Sequence, residues 1–369
     1  MIDLVAFRRD LHRHPEVGPE TARTATAVAE ALTGAGVAVT RGVGGHGLVA
    51  TIGTGDSAIM LRADMDALPI REMAGLPHAS TVPGAFHGCG HDGHSTMLLG
   101  AALALAADPS GRTIHLIWQP DEENGTGARA MIEDGLFDRF PTDRIYGLHN
   151  MPGLPLGHVQ TQPGLFLVFE DNFRITIDGR GGHASQPHAQ VDPVIVAGAI
   201  IGQLQTIVAR NVDAADHAVV SITGIETDGA RNVVPSTVVL TGDCRGFSDA
   251  TRDLIRTRMA RIAEGCAAAH GAKARVEAAQ SFRPLVNDPE ATARAVAALR
   301  DVEVDAAAGR FGYAEDFAAY LDHRPGAFLN VGNGTEGCHA LPLHNPGYDF
   351  NDDGLVHGVE IWTRLAHHA

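Results

Sequence analysis

The heptapeptide GCGHDGH, residues 88–94, sets a cysteine, two histidines and an aspartate among three glycines, with His87 immediately before it. Thiolate, imidazole and carboxylate together suit zinc, and manganese, cobalt or nickel can fill the same mixed set. Taken alone, the stretch reads either as a histidine-rich polar turn or as one wall of a metal site. Three other segments carry groups of the same kind. Asp121, Glu122 and Glu123 stand together in IWQPDEENGTG, His149 in YGLHN, and His339 and His344 in CHALPLHNPGYDFND. Neighbouring glutamates can divide the work, one binding metal while the other takes a proton from water. A structural zinc site saturates its ion with four protein ligands and has no use for a spare base. A hydrolytic site keeps a position open for water, and two ions roughly 3.5–4 Å apart can activate that water while clamping both oxygens of the reacting centre. The pattern therefore points to metal-assisted hydrolysis.

These groups are useful only if the fold gathers them. GLVATIG, AIMLRADMDAL, RTIHLIWQP and RIYGLHN have the β-branched and large apolar content of strands bounded by turn residues. PETARTATAVAEALT, HSTMLLGAALALAAD and TGARAMIEDGLF predict helices, the first stopped by Gly34 and Gly36 and the second with a serine available as its cap. Strands alternating with helices imply an α/β fold with a mostly parallel sheet covered on both faces. The acidic cluster follows one strand and His149 ends the next, where open α/β sheets bind their ligands.

Near residue 170 the pattern changes. NFRITIDGRG, HAVVSITGIE, STVVLTGDCRGF and KARVEAAQSF read as strands, and VDPVIVAGAIIGQLQTIVAR and DATRDLIRTRMARIAEGCAAAHG as long helices. Their order is β-α-β-β-α-β, the ferredoxin-like arrangement. The sequence thus predicts a catalytic domain from 1–169 and 283–369, interrupted by an inserted domain at 170–282.

Composition sets further bounds. A chain of 369 residues suggests two domains, and 44% hydrophobic with 20% charged residues is globular. The net charge of −16 argues against a nucleic-acid partner, which would need a basic face. It also means that an anionic substrate needs a local arginine. Twenty histidines favour a metal or proton-transfer site. Cys89, Cys244, Cys266 and Cys338 form no CxxC pair and suggest no disulfide framework. The N-terminus lacks an apolar signal core, and the apolar run VIVAGAII is far below the ~20 residues of a membrane span. The expected location is cytoplasmic, with no membrane partner.

In this order the motifs resemble the metal-dependent amidohydrolases that include hippurate hydrolases, N-acyl-amino-acid amidohydrolases and plant auxin-conjugate hydrolases. The matching stretches are LHRHPE (11–16), RADMDALP (62–69), HGCGHDGHSTMLLGAA (87–102), QPDEENGTGARAMIEDGLF (119–137), GLHNMPGLPLG (147–157), GRGGHASQPH (179–188), NVVP (232–235), AEDFAAYL (314–321) and LHNPGYDFND (343–352). The resemblance implies a zinc-aminopeptidase-like catalytic domain with an inserted lid and dimerisation domain. It implies two divalent ions per chain (Zn, Mn, Co or Ni), held by Cys89, His91, Glu123, His149 and His344, with the Cys89 thiolate between them. Glu122 would be the general base that takes a proton from water and later gives it to the leaving amine. Asp66 would orient a ligand from behind, as metal-bound histidines commonly require, and His87 and His94 would support the loop. His183 would donate to the oxyanion, from its own chain or across a homodimer, against the plainer reading of a loop histidine that supports its turn. Asn232 and Arg245 would hold the substrate carboxylate, with Arg231 a competitor.

Departures from the family pattern lie at FLVFEDNF (166–173), Gly88 and Asp121. Asp121 is expected to raise the pKa of Glu122. The reaction implied is hydrolysis of an N-acyl amino acid, with hinge motion between the domains closing the site. A dipeptidase or carboxypeptidase of the same mechanism is one rival. A non-catalytic metal or redox sensor using Cys89 is another, and it leaves Glu122 unexplained.

Overall fold

The computed structural model describes residues 2–109 and 111–369. The chain divides into two compact units: Met1–Phe166, Val286–Gly309 and Glu315–Ala369 in the first, Leu167–Leu285 and Arg310–Ala314 in the second.

The first unit is built on an eight-stranded sheet in the order Ala38–Val43, Gly47–Ile52, Thr113–Gln119, Ala58–Asp64, Arg144–Pro152, Gly326–Gly334, Val159–Gln160, Val304–Asp305. The four strands from Thr113–Gln119 to Gly326–Gly334 run parallel, so the central sheet is mostly parallel. Nearly every residue of Ala58–Asp64 and Thr113–Gln119 is buried, as expected for strands covered on both faces. Ile59, Leu61, Ala63, Ile114, Leu116 and Trp118 enter a core shared with the helices Ala22–Gly34, His91–Ala107, Pro289–Ala298 and Gly354–His368. On strand Ala58–Asp64 the alternate residue Arg62 is fully buried and pairs with Asp64 at 2.6 Å.

The helix after the GCGHDGH loop starts earlier than its apolar pattern suggests. It spans His91–Ala107, capped by Gly90 in a left-handed conformation at φ +96°, and Ser95 lies inside it with its hydroxyl donating to the Asp64 carbonyl at 2.6 Å. Asp92 in the first turn suits the positive end of the helix dipole. The helix is buried nearly all round, and at Gly358 of the C-terminal helix a Cβ would lie 1.8 Å from Met97 Sδ. The expected helix over 126–137 is broken by Gly135 into Gly127–Glu133 and Leu136–Arg139.

The second unit holds a four-stranded antiparallel sheet in the order Ala218–Thr227, Thr237–Gly246, Phe169–Asp178, Lys273–Phe282. Thr237–Gly246 alternates buried and half-buried residues, the mark of a sheet covered on one face. Helices Pro193–Asn211 and Asp249–Ala269 supply Val196, Ile200, Leu204, Ile255 and Met259 to its core. Each starts with a side-chain cap, Asp192 to Val194 N and Ser248 to Thr251 N. By length and composition Pro193–Asn211 could cross a membrane, a signal that core helices also give. The short segment Arg310–Ala314 joins this unit although it is remote in sequence. Phe311 bridges to Leu167, and the Gly312 carbonyl accepts from Arg245 Nη1 at 2.8 Å.

Candidate metal centre

Three segments of the first unit converge at the carboxyl end of the parallel strands, and a fourth, from the C-terminal region, completes the cluster. Ligand atoms of Cys89, His91 and His149 lie within 4.8 Å of one another, and so do those of Cys89, Glu123 and His344. Cys89 belongs to both triads. Its Sγ is 3.4 Å from His149 Nε2, and His344 Nε2 is 3.5 Å from Glu123 Oε1. His91 Nε2 stands 4.0 Å from a carboxylate oxygen of Glu122 and from one of Glu123.

Two of the three imidazoles are aimed from behind. His91 Nδ1 faces the Asp66 carbonyl at 2.9 Å, and His149 Nδ1 faces the Asn150 carbonyl at 2.8 Å. A ring nitrogen held this way turns the other toward a metal. His91 is fully buried, and its Nε2 has no hydrogen-bond partner. A bare buried nitrogen costs free energy unless something binds it, so the donor set fits a cation. His344 adopts φ +65°, and its amide donates to the Gly88 carbonyl at 2.8 Å, tying its loop to the cysteine loop. Its side chain is the most open of the five, at 53%.

Asp66 does more than orient one histidine. Its two carboxylate oxygens accept from the backbone amides of Glu122 and Glu123, each at 3.1 Å, while Oδ1 stands 3.4 Å from His91 Nδ1. His94 lies between Asp64 Oδ1 and Asn150 Oδ1, 2.7 Å from each. Asn150 in turn donates to Tyr348 at 2.5 Å. His87 is buried with neither ring nitrogen bonded, and burial pushes its pKa down to about 3, so it stays neutral.

The electrostatics are those of an anionic pocket. Burial opposes protonation of His91, yet Asp64, Asp66 and Glu123 outweigh it and raise its pKa to about 10. Burial and the charges of Glu123, Glu122 and Asp64 push the Cys89 thiol well up. A bound cation reverses that effect and deprotonates a coordinating thiol. A redox sensor needs an accessible, low-pKa thiol, which Cys89 on its own is not. Burial and then Glu315, Glu123 and Asp316 raise Glu122 well above the carboxylate range, whereas His344 and His91 overcome burial to hold Glu123 below it. The expected influence of Asp121 on Glu122 is not among these causes. Asp121 instead accepts from Asn124 Nδ2 at 2.6 Å and from Thr126 Oγ1, at φ +58°.

The remaining expected site residues belong to the second unit. His183 lies on a two-residue strand paired with Val233–Val234. Its Nδ1 accepts from the Ser185 amide at 3.2 Å, which leaves Nε2 to carry the proton. The Asn232 carbonyl accepts from the Ala184 amide at 3.1 Å, so His183 and Asn232 are near neighbours. Arg245 is already engaged: it pairs with Glu170 at 2.7 Å and Asp243 at 3.1 Å and donates to Gly312. Sequence reasoning gave no role to Arg62, Asp64, Glu315 or Asp316. Arg62 is fully buried among these three acids at 2.6, 3.0 and 2.9 Å. The signal available was a pair of adjacent acids inside the otherwise apolar AEDFAAYL.

A sheet ending in two ligand triads that share a cysteine, with a second glutamate 4.0 Å from His91, defines a hydrolytic metal-site class. The chain belongs to Peptidase family M20/M25/M40, whose profile matches residues 60–368. It is 38% identical to an N-acetyl-L-cysteine deacetylase of Bacillus subtilis (strain 168) over 96% of this chain and 85% of the relative. It is 34% identical to the hippurate hydrolase of Campylobacter jejuni over 98% of this chain and 94% of that one. Among solved structures it is similar to a dinuclear metal binding peptidase from the M20 family of Bacillus subtilis. The TM-score is 0.81 and the identity 32%, covering 99% of this chain and 96% of the other.

Proposed function

We infer that this protein is a metal-dependent amidohydrolase that cleaves N-acyl amino acids into a carboxylic acid and a free amino acid. The observation that carries the reading is the sharing of Cys89 between the Cys89–His91–His149 and Cys89–Glu123–His344 groups, with Glu122 outside both. Two divalent ions held by these five residues would polarise the amide carbonyl and make water more acidic. Glu122, raised by burial and by Glu315, takes the proton from attacking water and delivers it to the amide nitrogen as the C–N bond breaks. Asp66 fixes both glutamates through their amides. His183, with Nδ1 satisfied by Ser185, offers its Nε2 hydrogen to the tetrahedral oxyanion. Asn232 and Arg245 are assigned to the substrate carboxylate. Arg245 must exchange an existing partner for that role, and Arg231, which has no ion pair among the described residues, is the competitor.

The β-α-β-β-α-β order of the second unit supports its reading as an inserted ferredoxin-like lid. Exposed Val194, Ile195, Val219 and Ile225 favour its use as a homodimer surface. Free cysteines throughout suit a reducing, cytoplasmic location.

The test is amine release from hippurate and a panel of N-acetyl amino acids by protein reloaded with Mn, Zn or Co, beside a chelator-treated control. Chelator-sensitive turnover is expected. A panel cleaved only when the acyl part carries a free α-amino group would move the assignment to a dipeptidase.

A further inference from the structure

Glu122 and Glu123 sit on residues 120–126, between strand Thr113–Gln119 and helix Gly127–Glu133. The two ends of this loop come together at a narrow neck. A Cβ on Gly127 would lie 1.7 Å from the Pro120 carbonyl oxygen, so a larger residue does not fit there. At the neck lies Asp316, 4% exposed and outside every ligand segment. Its carboxylate accepts from Gln119 Nε2 at 2.8 Å to each oxygen, and from the Ala128 amide at 2.9 Å. Gln119 is the last residue before the loop and Ala128 the second residue of the helix after it, so one carboxylate holds both ends.

The grip is itself fixed. Arg62 donates to Asp316 Oδ1 at 2.9 Å and to Gln119 Oε1 at 2.8 Å, and Tyr320 donates to the same Gln119 oxygen at 3.0 Å. Within the loop Asp121 is held at φ +58°, a sparsely populated conformation that persists only where the surroundings enforce it. Asp66 secures the loop's middle through the two glutamate amides. The ends have Asp316.

We propose that Asp316 is a positioning residue for Glu122, closing the neck of the loop so that the base meets water and leaving nitrogen at the right distance. The proposal rests on Glu122 being the general base. Misplacing such a group by about 1 Å can cost about 10²-fold in rate, with substrate binding little altered.

The test uses metal-saturated full-length protein and an N-acyl amino acid it cleaves. Asp316→Asn replaces one acceptor oxygen with an amide donor, which then faces either the Arg62 guanidinium or the Ala128 amide and so loosens the grip. Asp316→Ala releases both ends of the loop. The expected result for Asp316→Asn is a kcat lowered about 30-fold or more, KM within about threefold of wild type and metal content unchanged. In a Glu122→Gln background the same change should alter the residual rate less than about twofold, because no base remains to be aimed. A loss of folded protein would lower both backgrounds alike. A wild-type kcat in Asp316→Asn overturns the proposal. So does a loss that multiplies fully in both backgrounds, or one that excess metal restores, which would place the effect on Glu123. If Asp316→Ala does not fold, Asp316→Asn still decides. Turnover by wild type that falls about 10⁴-fold in Glu122→Gln secures the underlying reading, so a normal Asp316→Asn rate then counts against the clamp alone.

Discussion

Two buried clusters of the first unit are made of the same residue types and have opposite characters. One is the candidate metal centre. The other gathers His12, His78 and Asp349, whose ligand atoms also lie within 4.8 Å of one another. In the second cluster a guanidinium already occupies the middle. Arg8, fully buried, reaches Asp92 at 2.8 Å and Asp349 at 2.5 Å, and lies 3.1 Å from ring nitrogens of both His12 and His78. In the candidate metal centre no guanidinium plays that part: His91 Nε2 has no hydrogen-bond partner, and the neighbouring acids raise its pKa to about 10. Histidines and carboxylates at ligand spacing therefore do not by themselves make a metal site. What separates the two is whether the fold supplies its own cation.

The contrast is sharpest in a pair of substitutions. Glu122→Gln should remove about 10⁴-fold of turnover, the upper end for a general base, while circular dichroism and metal stoichiometry stay as in wild type. Arg8→Met should do the reverse to its own cluster. It leaves Asp92 and Asp349 buried without their counter-charge, at a cost of about 3–5 kcal/mol in urea unfolding. A stable Arg8→Met protein would mean that the guanidinium is not what holds that cluster together.

Metal addition should divide the clusters next. At a free metal concentration about 100 times Kd, a ligand that binds the folded state alone adds about 2.7 kcal/mol to stability. Wild type and His78→Ala should both gain it and bind the same number of ions in calorimetric titration, whereas His149→Ala should bind fewer. Loss of an ion in His78→Ala would erase the distinction. A smaller effect is expected at Asp66, where Asp66→Ala should weaken metal binding about 10–100-fold, as removal of an orienting partner does.

The smallest expected effect is a pH dependence. Burial alone would raise the pKa of Asp92, but Arg8 and His12 hold it well below the usual carboxylate range. A carboxylate depressed in the folded state adds stability above its unfolded pKa of about 3.9 and loses it as pH falls toward the folded value. The stability gap between wild type and Arg8→Met should thus narrow as pH falls below about 4.5. A gap that widens in acid would assign the linkage to other groups.

Much of this architecture is legible in the chain. The continuous apolar runs of Ala58–Asp64 and Thr113–Gln119 mark strands buried on both faces, and the acids and histidines at strand ends point to the site. The start of helix His91–Ala107 is not legible from apolar pattern, because it depends on Gly90 adopting φ +96° beside Asn150 and Tyr348. Nor is the use of Asp121, whose sequence neighbour is Glu122 but whose bonds go to Asn124 and Thr126. Glu315 and Asp316 lie nearly two hundred residues beyond the glutamates they influence, and no local period connects them.

Residue type and order alone determined the α/β alternation, the interruption near residue 170 and the set of groups able to bind metal, because these follow from side-chain chemistry and from periods of 2 and 3.6. Only the tertiary structure decided which groups meet. His12 and His91 are both buried imidazoles beside carboxylates, yet Arg8 reaches the first and no cation of the described chain reaches the second. Arg8 comes from the N-terminal helix Leu4–Arg13 and Asp349 from the loop after His344. Their meeting is fixed by how buried surfaces pack across the whole unit, and that long-range packing separates a closed ion pair from a donor set able to take a metal.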